Sequence, residues 1–324
     1  KGLLREYWPV WFGEPLPARL SFAQREKVLF AFPEDAQEPS LVIKLARTVQ
    51  EGARLEREHT LLASLHRSFP QLARAVPSPL LLGSLGRRPF LIETALVGRP
   101  WLALFRERHP HREAPLEQVL SWLWELQRAT SRRAPLQRQY VAKLLAIAPF
   151  LREESPHLVL AIERLWQSFT EREGSCPMVW SHGDLQVTNI FLLPQGSIGI
   201  IDWEEGSFER FPHFDFFYLL WSVYSLYLGL SPADAWWDLF IEKVPWGRVR
   251  ISRWIDHLGL LSGYIPFFSI LFLLEWIAME VQFQQRLFPW KRGKVIETGS
   301  VEAWRKLAEH VSSFQDLCQL LGGW

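Results

Sequence analysis

Trp180-Ser-His182-Gly183-Asp184-Leu185-Gln186-Val187-Thr188-Asn189-Ile190-Phe-Leu-Leu193-Pro-Gln-Gly-Ser197-Ile198-Gly-Ile-Ile201-Asp202-Trp203-Glu204 is the stretch that decides the fold. Ile190 to Leu193 and Ile198 to Ile201 read as short apolar strands, and Pro-Gln-Gly-Ser between them turns the chain back on itself. A loop ahead of them, entered from the apolar Met178 to Trp180, carries one acid, Asp184, and one amide, Asn189. A second acid, Asp202, follows the hairpin. Because a hairpin returns its end beside its start, Asp184, Asn189 and Asp202 are expected to meet at one end of it.

That polar set is what phosphoryl transfer requires. Moving a γ-phosphoryl group calls for a carboxylate that orients the attacking hydroxyl and accepts its proton, and for oxygen ligands that hold Mg2+ against the phosphates. Asp184 suits the first task. Asn189 and Asp202 suit the second, since hard Mg2+ takes a few protein oxygens and completes its shell with water and phosphate. His182 reads as an organiser of the loop.

The stretch resembles the aminoglycoside phosphotransferase and choline kinase group, relatives of the protein kinases. The signature of that group is His-Gly-Asp, four residues, Asn, then Ile-Asp-Trp or Ile-Asp-Phe after a hairpin, and His182, Gly183, Asp184, Asn189, Ile201, Asp202 and Trp203 all match it. The resemblance implies a catalytic loop over 182–189 with Asp184 as base, a metal-binding segment over 201–204 with Asn189 and Asp202 on Mg2+, and ATP or GTP as co-substrate. The group also has an aspartate further on, at the start of a helix. Asp215 fits that place, either supporting the catalytic loop or capping the helix.

The nucleotide half of such a site is expected upstream. Lys27 to Ala31 reads as one strand and Leu41-Val-Ile-Lys44-Leu45 as another, and by the resemblance Lys44 contacts the nucleotide phosphates. Leu55, His59, Leu62 and Leu65 repeat at helical spacing, and Glu58 on that helix would pair with Lys44. Glu56 is the rival, about 200° away around the helix, so only one of the two can face the strands. Phe90 to Leu96 reads as the strand leaving the small lobe, with backbone groups around Glu93 to Ala95 forming the hinge that holds the base. One departure stands out: the segment from Arg19 to Lys27 has no glycine, where protein kinases have a Gly-rich loop. Ser21 is the residue expected to touch phosphate there, with Arg25 as a second reach.

Composition narrows the rest. With 324 residues, 48% of them hydrophobic, the chain can bury cores for two lobes. A net charge of +1 and no Lys/Arg run exclude the basic footprint of a nucleic-acid binder. Cys176 and Cys318 make neither a disulfide framework nor a metal site, and they suit a reducing cytoplasm. The pattern predicts an α+β, two-lobe protein-kinase-like fold, with a small antiparallel-sheet nucleotide-binding N-lobe over 1–96 and a large, mainly helical C-lobe over 97–324. Helical spacing recurs over 116–131, 136–153, 158–173, 214–230, 233–244, 249–264, 266–288 and 301–321. The apolar run 216–230 is too short to span a bilayer, and 258–274 is interrupted by Gly259, Gly263 and Pro266, so no transmembrane segment is expected. Both read as core helices, with a surface for a lipid-linked acceptor as the alternative.

The acceptor is the least constrained part. Seventeen tryptophans read first as core, although aromatic faces also stack on sugars and attract cations. Acids would complete a cationic pocket: Glu204, Glu205, Asp256 and Glu280 are available, and the pair Glu275-Trp276 comes first. A sugar, an aminoglycoside-like or an amino-alcohol acceptor all remain open. So does a kinase-like nucleotide- or ligand-binding protein without transferase activity. A metal-dependent phosphoesterase built on His182 and Asp184 is weaker, because no second His/Asp cluster has ligand spacing.

Overall fold

The computed structural model describes residues 2–16, 20–25, 28–33, 36–137, 139–287 and 298–322. Lys27, the Arg25 side chain and Phe288, each part of an expectation above, lie outside the described residues.

Along the chain come α1 (Gly2–Phe12), β1 (Leu20–Arg25), β2 (Val28–Pro33), β3 (Leu41–Leu45), α2 (Val49–Ser68), α3 (Pro70–Ala73), β4 (Pro79–Leu85), β5 (Arg88–Thr94), β6 (Arg99–Pro100), α4 (Trp101–Arg106) and α5 (Pro115–Thr130). Next are β7 (Arg132–Pro135), α6 (Tyr140–Ile147), α7 (Phe150–Glu154), α8 (Pro156–Glu173), β8 (Ser175–Ser181), β9 (Ile190–Leu192), β10 (Ile198–Ile200) and β11 (Ser207–Arg210). The remainder is helical: α9 (His213–Leu228), α10 (Pro232–Phe240), α11 (Pro245–Leu258), α12 (Tyr264–Leu287), α13 (Gly299–His310) and α14 (Phe314–Leu321). Antiparallel strands come first and helices dominate afterwards, which is the α+β class the sequence pattern predicts. The chain forms two compact units, one of residues 1–125 with 180–208 and one of 126–179 with 209–324. This grouping keeps the hairpin of β9 and β10 with the sheet.

In the first unit β1, β2, β3, β5 and β4 form one antiparallel sheet in that order. Val28 pairs with Lys44, Val42 with Glu93, and Lys44 with Leu91. Side chains alternate along a strand, so Val28, Val42, Lys44, Leu91 and Glu93 share one face while Ala31, Leu41, Ile43, Phe90 and Ile92 share the other. The second face is covered by α1, which lays Leu4 and Trp8 on it. No sequence expectation included α1, whose interior holds Pro9.

The first face receives α2. Its start is set by Thr48, whose hydroxyl accepts from the Glu51 N–H at 3.2 Å. Gly52, Leu55, Glu58, Leu61, Leu62 and Leu65 recur at helical spacing and are buried. Leu55 packs on Ala46 and Leu91, and burying such a leucine contributes roughly 1.5–3 kcal/mol. The stripe also settles the two glutamates: Glu58 faces inward and Glu56 is exposed.

The second unit is built on aromatic packing. Phe216 stacks on Trp254 at 4.7 Å, and Phe217 and Phe272 pack with Phe240. Two expected helices are each divided. The stretch 136–153 breaks into α6 and α7 at Ala148-Pro149, and 301–321 breaks where the Ser313 hydroxyl accepts the Asp316 N–H and starts α14. By length and composition α12 could cross a membrane over Tyr264–Gln285, but 78% of its apolar window is buried, as in the core helix of a globular unit.

Candidate active site

The hairpin forms as expected. Ile190 pairs with Ile200 and Leu192 with Ile198, and Gly196 takes φ +78° in the turn, a conformation that favours glycine. At the open end the Ile201 N–H donates to the Asn189 carbonyl at 3.0 Å, which sets Asn189 beside the strand that delivers Asp202. His182, fully buried, ties the loop to the same place. Its Nδ1 accepts the Asp184 N–H at 3.2 Å, so Nε2 carries the proton and donates to the Ile201 carbonyl at 2.9 Å.

Asp184 is held by two amides. Gln186 Nε2 donates to Oδ1 at 2.9 Å and Asn189 Nδ2 to Oδ2 at 2.8 Å; Asn189 also donates to the Asp184 carbonyl at 2.9 Å. With both of its contacts to Asp184 made by the NH2 end, Asn189 presents Oδ1 on its other side, where the Thr188 hydroxyl lies at 3.5 Å. Burial pushes the Asp184 carboxyl up to about 6, against the opposing pull of the Asn189 and Gln186 hydrogen bonds. Asp202 adopts φ +69°, a left-handed conformation that non-glycine residues rarely hold and that collects at functional sites.

Lys44 gathers three carboxylates. Its Nζ lies 2.6 Å from Glu58 Oε1, 3.2 Å from Glu93 Oε1 and 3.8 Å from Asp202 Oδ1. Burial alone would draw the ammonium down, but Glu58, Glu93 and Asp202 together hold its pKa above the ordinary lysine range. Glu58 Oε1 also accepts the Trp203 N–H at 2.9 Å, which ties α2 to the segment after the hairpin. That approach is close: a Cβ on Gly206 would fall 2.5 Å from Leu61 Cδ1. Arg54, one turn before Glu58, pairs with Glu204 at 3.6 Å and Glu205 at 3.1 Å.

Lys44, Asn189, Asp202 and Glu204, with Val28, Phe30 and Leu55, line one cavity of about 520 Å³. The Asn189 and Asp202 oxygens are hard donors of the kind Mg2+ takes, and the Asn189 orientation leaves its carbonyl oxygen for a cation, so the residues present fit that metal. Among the described residues no group of three or more His, Cys, Asp or Glu side chains is placed to hold a metal by itself. Burial and the neighbouring Asp202 push the Glu204 carboxyl up to about 7.

Other expected residues fall elsewhere. Ser21 lies exposed on β1 opposite Phe32 and is not among the residues lining this cavity. The hinge expectation is corrected in part. The Thr94 N–H donates to the Ser78 carbonyl and the Ala95 N–H to the Ser40 carbonyl, each at 3.0 Å, so these donors are not free to hold a base. Glu93 brings its carboxylate to the site, a role that the register opposite Val42 makes legible only once the sheet is built. Asp215 is buried in the first turn of α9, and the capping position belongs to Pro212, so it is not the helix N-cap.

The Glu275-Trp276 acceptor pair is also corrected. Both residues are buried on α12; Glu275 accepts from the Tyr140 hydroxyl and bonds His213 Nε2 at 2.9 Å, and Trp276 packs on Trp221 and Phe272. Two site residues escaped the sequence reading. Gln186 was a polar residue two positions after the expected base, and Arg54 lay one turn from Glu58; neither had a partner in the sequence to single it out.

Residues 30–250 match the model of the APH phosphotransferase enzyme family. The match spans more than half of the chain, and the protein belongs to that family. Among solved structures, choline kinase LicA from Streptococcus pneumoniae aligns over 98% of this chain and 98% of its own at 12% identity, with a TM-score of 0.52. Aminoglycoside phosphotransferase APH(3'')-Id from Streptomyces rimosus ATCC10970, solved in complex with ADP and streptomycin, covers 85% of this chain and 98% of its own at 14% identity, with a TM-score of 0.49. The first of these likenesses is one of fold and supports the protein-kinase-like class. No curated protein matches the chain in sequence.

Proposed function

We propose that this protein transfers the γ-phosphoryl group of ATP or GTP to a hydroxyl of a small molecule of the sugar, aminoglycoside-like or amino-alcohol class, with Asp184 as base. The observation that carries the reading is the placement of Asp184. Its carboxylate is held by Gln186 and Asn189, and the same Asn189 lines a cavity with Asp202 and Lys44. In the reaction the acceptor hydroxyl gives its proton to Asp184 as its oxygen attacks the γ-phosphorus, and the bond to the β–γ bridging oxygen breaks, releasing the nucleoside diphosphate. Lys44 holds the phosphates in place. Asn189 and Asp202 would hold Mg2+, which would supply neutralisation of the phosphate charge when bound. A carboxyl near 6 is ionised at neutral pH and still basic enough to accept a proton in the transition state.

The test is Mg2+-dependent thermal stabilisation by ATP and GTP, followed by an ADP- or GDP-release screen over amino sugars, neutral sugars, choline-like amines and amino alcohols. One nucleotide is expected to stabilise the protein and one acceptor class to drive release. Absence of any Mg2+-dependent stabilisation refutes the reading. Stabilisation with no release from any acceptor would favour a binding protein without transferase activity.

A further inference from the structure

Glu93 follows Phe90, Leu91 and Ile92, all buried, and is itself 2% exposed. A carboxylate in such a place is costly unless a cation meets it. Lys44 does so, 3.2 Å from Glu93 Oε1, and the same ammonium bonds Glu58 at 2.6 Å. The two carboxylates come from different elements, Glu58 from α2 and Glu93 from the sheet that also carries Lys44. Glu58 has a further partner in the Trp203 N–H. The second oxygen of Glu93 is buried without one among the described residues.

We propose that Glu93 is a positioning residue, a second anchor that holds the Lys44 ammonium at the cavity from the sheet side and keeps it there when Glu58 is lost. The inference rests on Lys44 being the residue that contacts the nucleotide phosphates. A lysine side chain is a point charge on a flexible four-carbon stem. One anchor lets it pivot, whereas two anchors on separate elements leave it one place. The strand register explains why the second anchor reaches: Glu93 stands opposite Val42, two residues before Lys44 on the same face of β3.

The experiment uses the full chain with Glu93→Gln, Glu58→Gln and the double variant. Mg·ATP and Mg·GTP affinity are measured by calorimetry, and ligand-free melting is measured on these variants, on Lys44→Met and on Lys44→Met/Glu93→Gln. Each single glutamine should weaken binding of the nucleotide the wild type prefers by roughly 3–10-fold, and the double variant by more than the product of the two. Lys44→Met/Glu93→Gln should melt above Lys44→Met, because removing the cation leaves the Glu93 carboxyl buried without its partner. A purely structural Glu93 would change melting and leave nucleotide affinity in the folded protein unmoved. The proposal is overturned if Glu93→Gln binds nucleotide like the wild type both alone and with Glu58→Gln, or if the Lys44 and Glu93 substitutions are additive in melting. Wild-type protein that binds neither nucleotide would sink the phosphotransferase reading and the positioning role together, and the ligand-free comparison would then report on the pairing alone.

Discussion

Both compact units bury glutamates beside a basic or ring partner, and the surroundings differ. In the first, Glu58 and Glu93 each bond Lys44 through one oxygen and leave the other buried without a partner among the described residues, and their lysine lines a cavity. In the second, Glu275 has both oxygens engaged, one by the Tyr140 hydroxyl and one by His213, inside stacked rings that include His213 on Phe268 at 4.7 Å. A partly satisfied buried network is worse for stability than an apolar core, so a fold that keeps one beside a cavity has a use for it. A carboxylate with both oxygens engaged amid aromatic packing is satisfied by those partners, and what stays unpaired there among the described residues is a ring nitrogen, His213 Nδ1. The difference separates chemistry from architecture in a chain where residue type alone does not.

The largest effect expected on the first unit is from Asp184→Asn. Turnover should fall by about 10²–10⁴-fold, the range for loss of a general base, while calorimetric nucleotide affinity stays within a few-fold. Wild-type turnover in that variant would remove Asp184 from its role. Next comes Asp202→Ala, for which a Mg2+ titration of nucleotide binding should show at least about a tenfold loss. An unchanged Mg2+ dependence would break the assignment of that carboxylate.

On the other side of the comparison, Glu275→Ala should cost about 3–5 kcal/mol of stability, as expected when a buried polar pair loses one member. Turnover per folded molecule should be unaltered. Urea unfolding measures the first and active-site-normalised kinetics the second. A variant that keeps its stability but raises the acceptor KM would return Glu275 to the acceptor site and erase the contrast.

The smallest effect concerns Asp184 and pH. Its folded pKa of about 6 lies above its ordinary value near 3.8, so between about pH 4 and 6 the folded state holds the proton more tightly than the unfolded chain, and stability falls as pH rises through that window. At neutral pH the ionised group therefore costs of order 1–3 kcal/mol, and Asp184→Asn should melt higher than the wild type there. The advantage should vanish below about pH 4. Activity has the opposite slope, increasing through pH 6 as the base ionises. A variant that melts lower at pH 7 would show that the loop hydrogen bonds outweigh the burial.

The hairpin of β9 and β10 was legible in the sequence because its determinants are local. Apolar pairs flanking Pro-Gln-Gly-Ser specify two strands and a turn, and the spacing of Asp184, Asn189 and Asp202 follows from that geometry. The choice of Glu58 over Glu56 waited for the buried stripe of α2, and Lys44 and Glu58 themselves were legible only through the family resemblance. The faces of α12 were not, because a helix apolar on most sides has no stripe to say which polar residue is enclosed. Neither was α1, whose sheet-covering role depends on the sheet already existing.

By itself, then, the sequence determined the hairpin, the loop that carries the polar set and most of the later helical stretches, through backbone periodicity and turn chemistry that act over a few residues. Tertiary structure alone decided that Glu93 faces Lys44, that the Thr94 and Ala95 amides are taken up by Ser78 and Ser40, and that Glu275 is enclosed by Tyr140 and His213. Those outcomes depend on strand register and helix packing between residues far apart in the chain. A side chain's partner is set by which of its neighbours arrive, and no local pattern encodes that arrival.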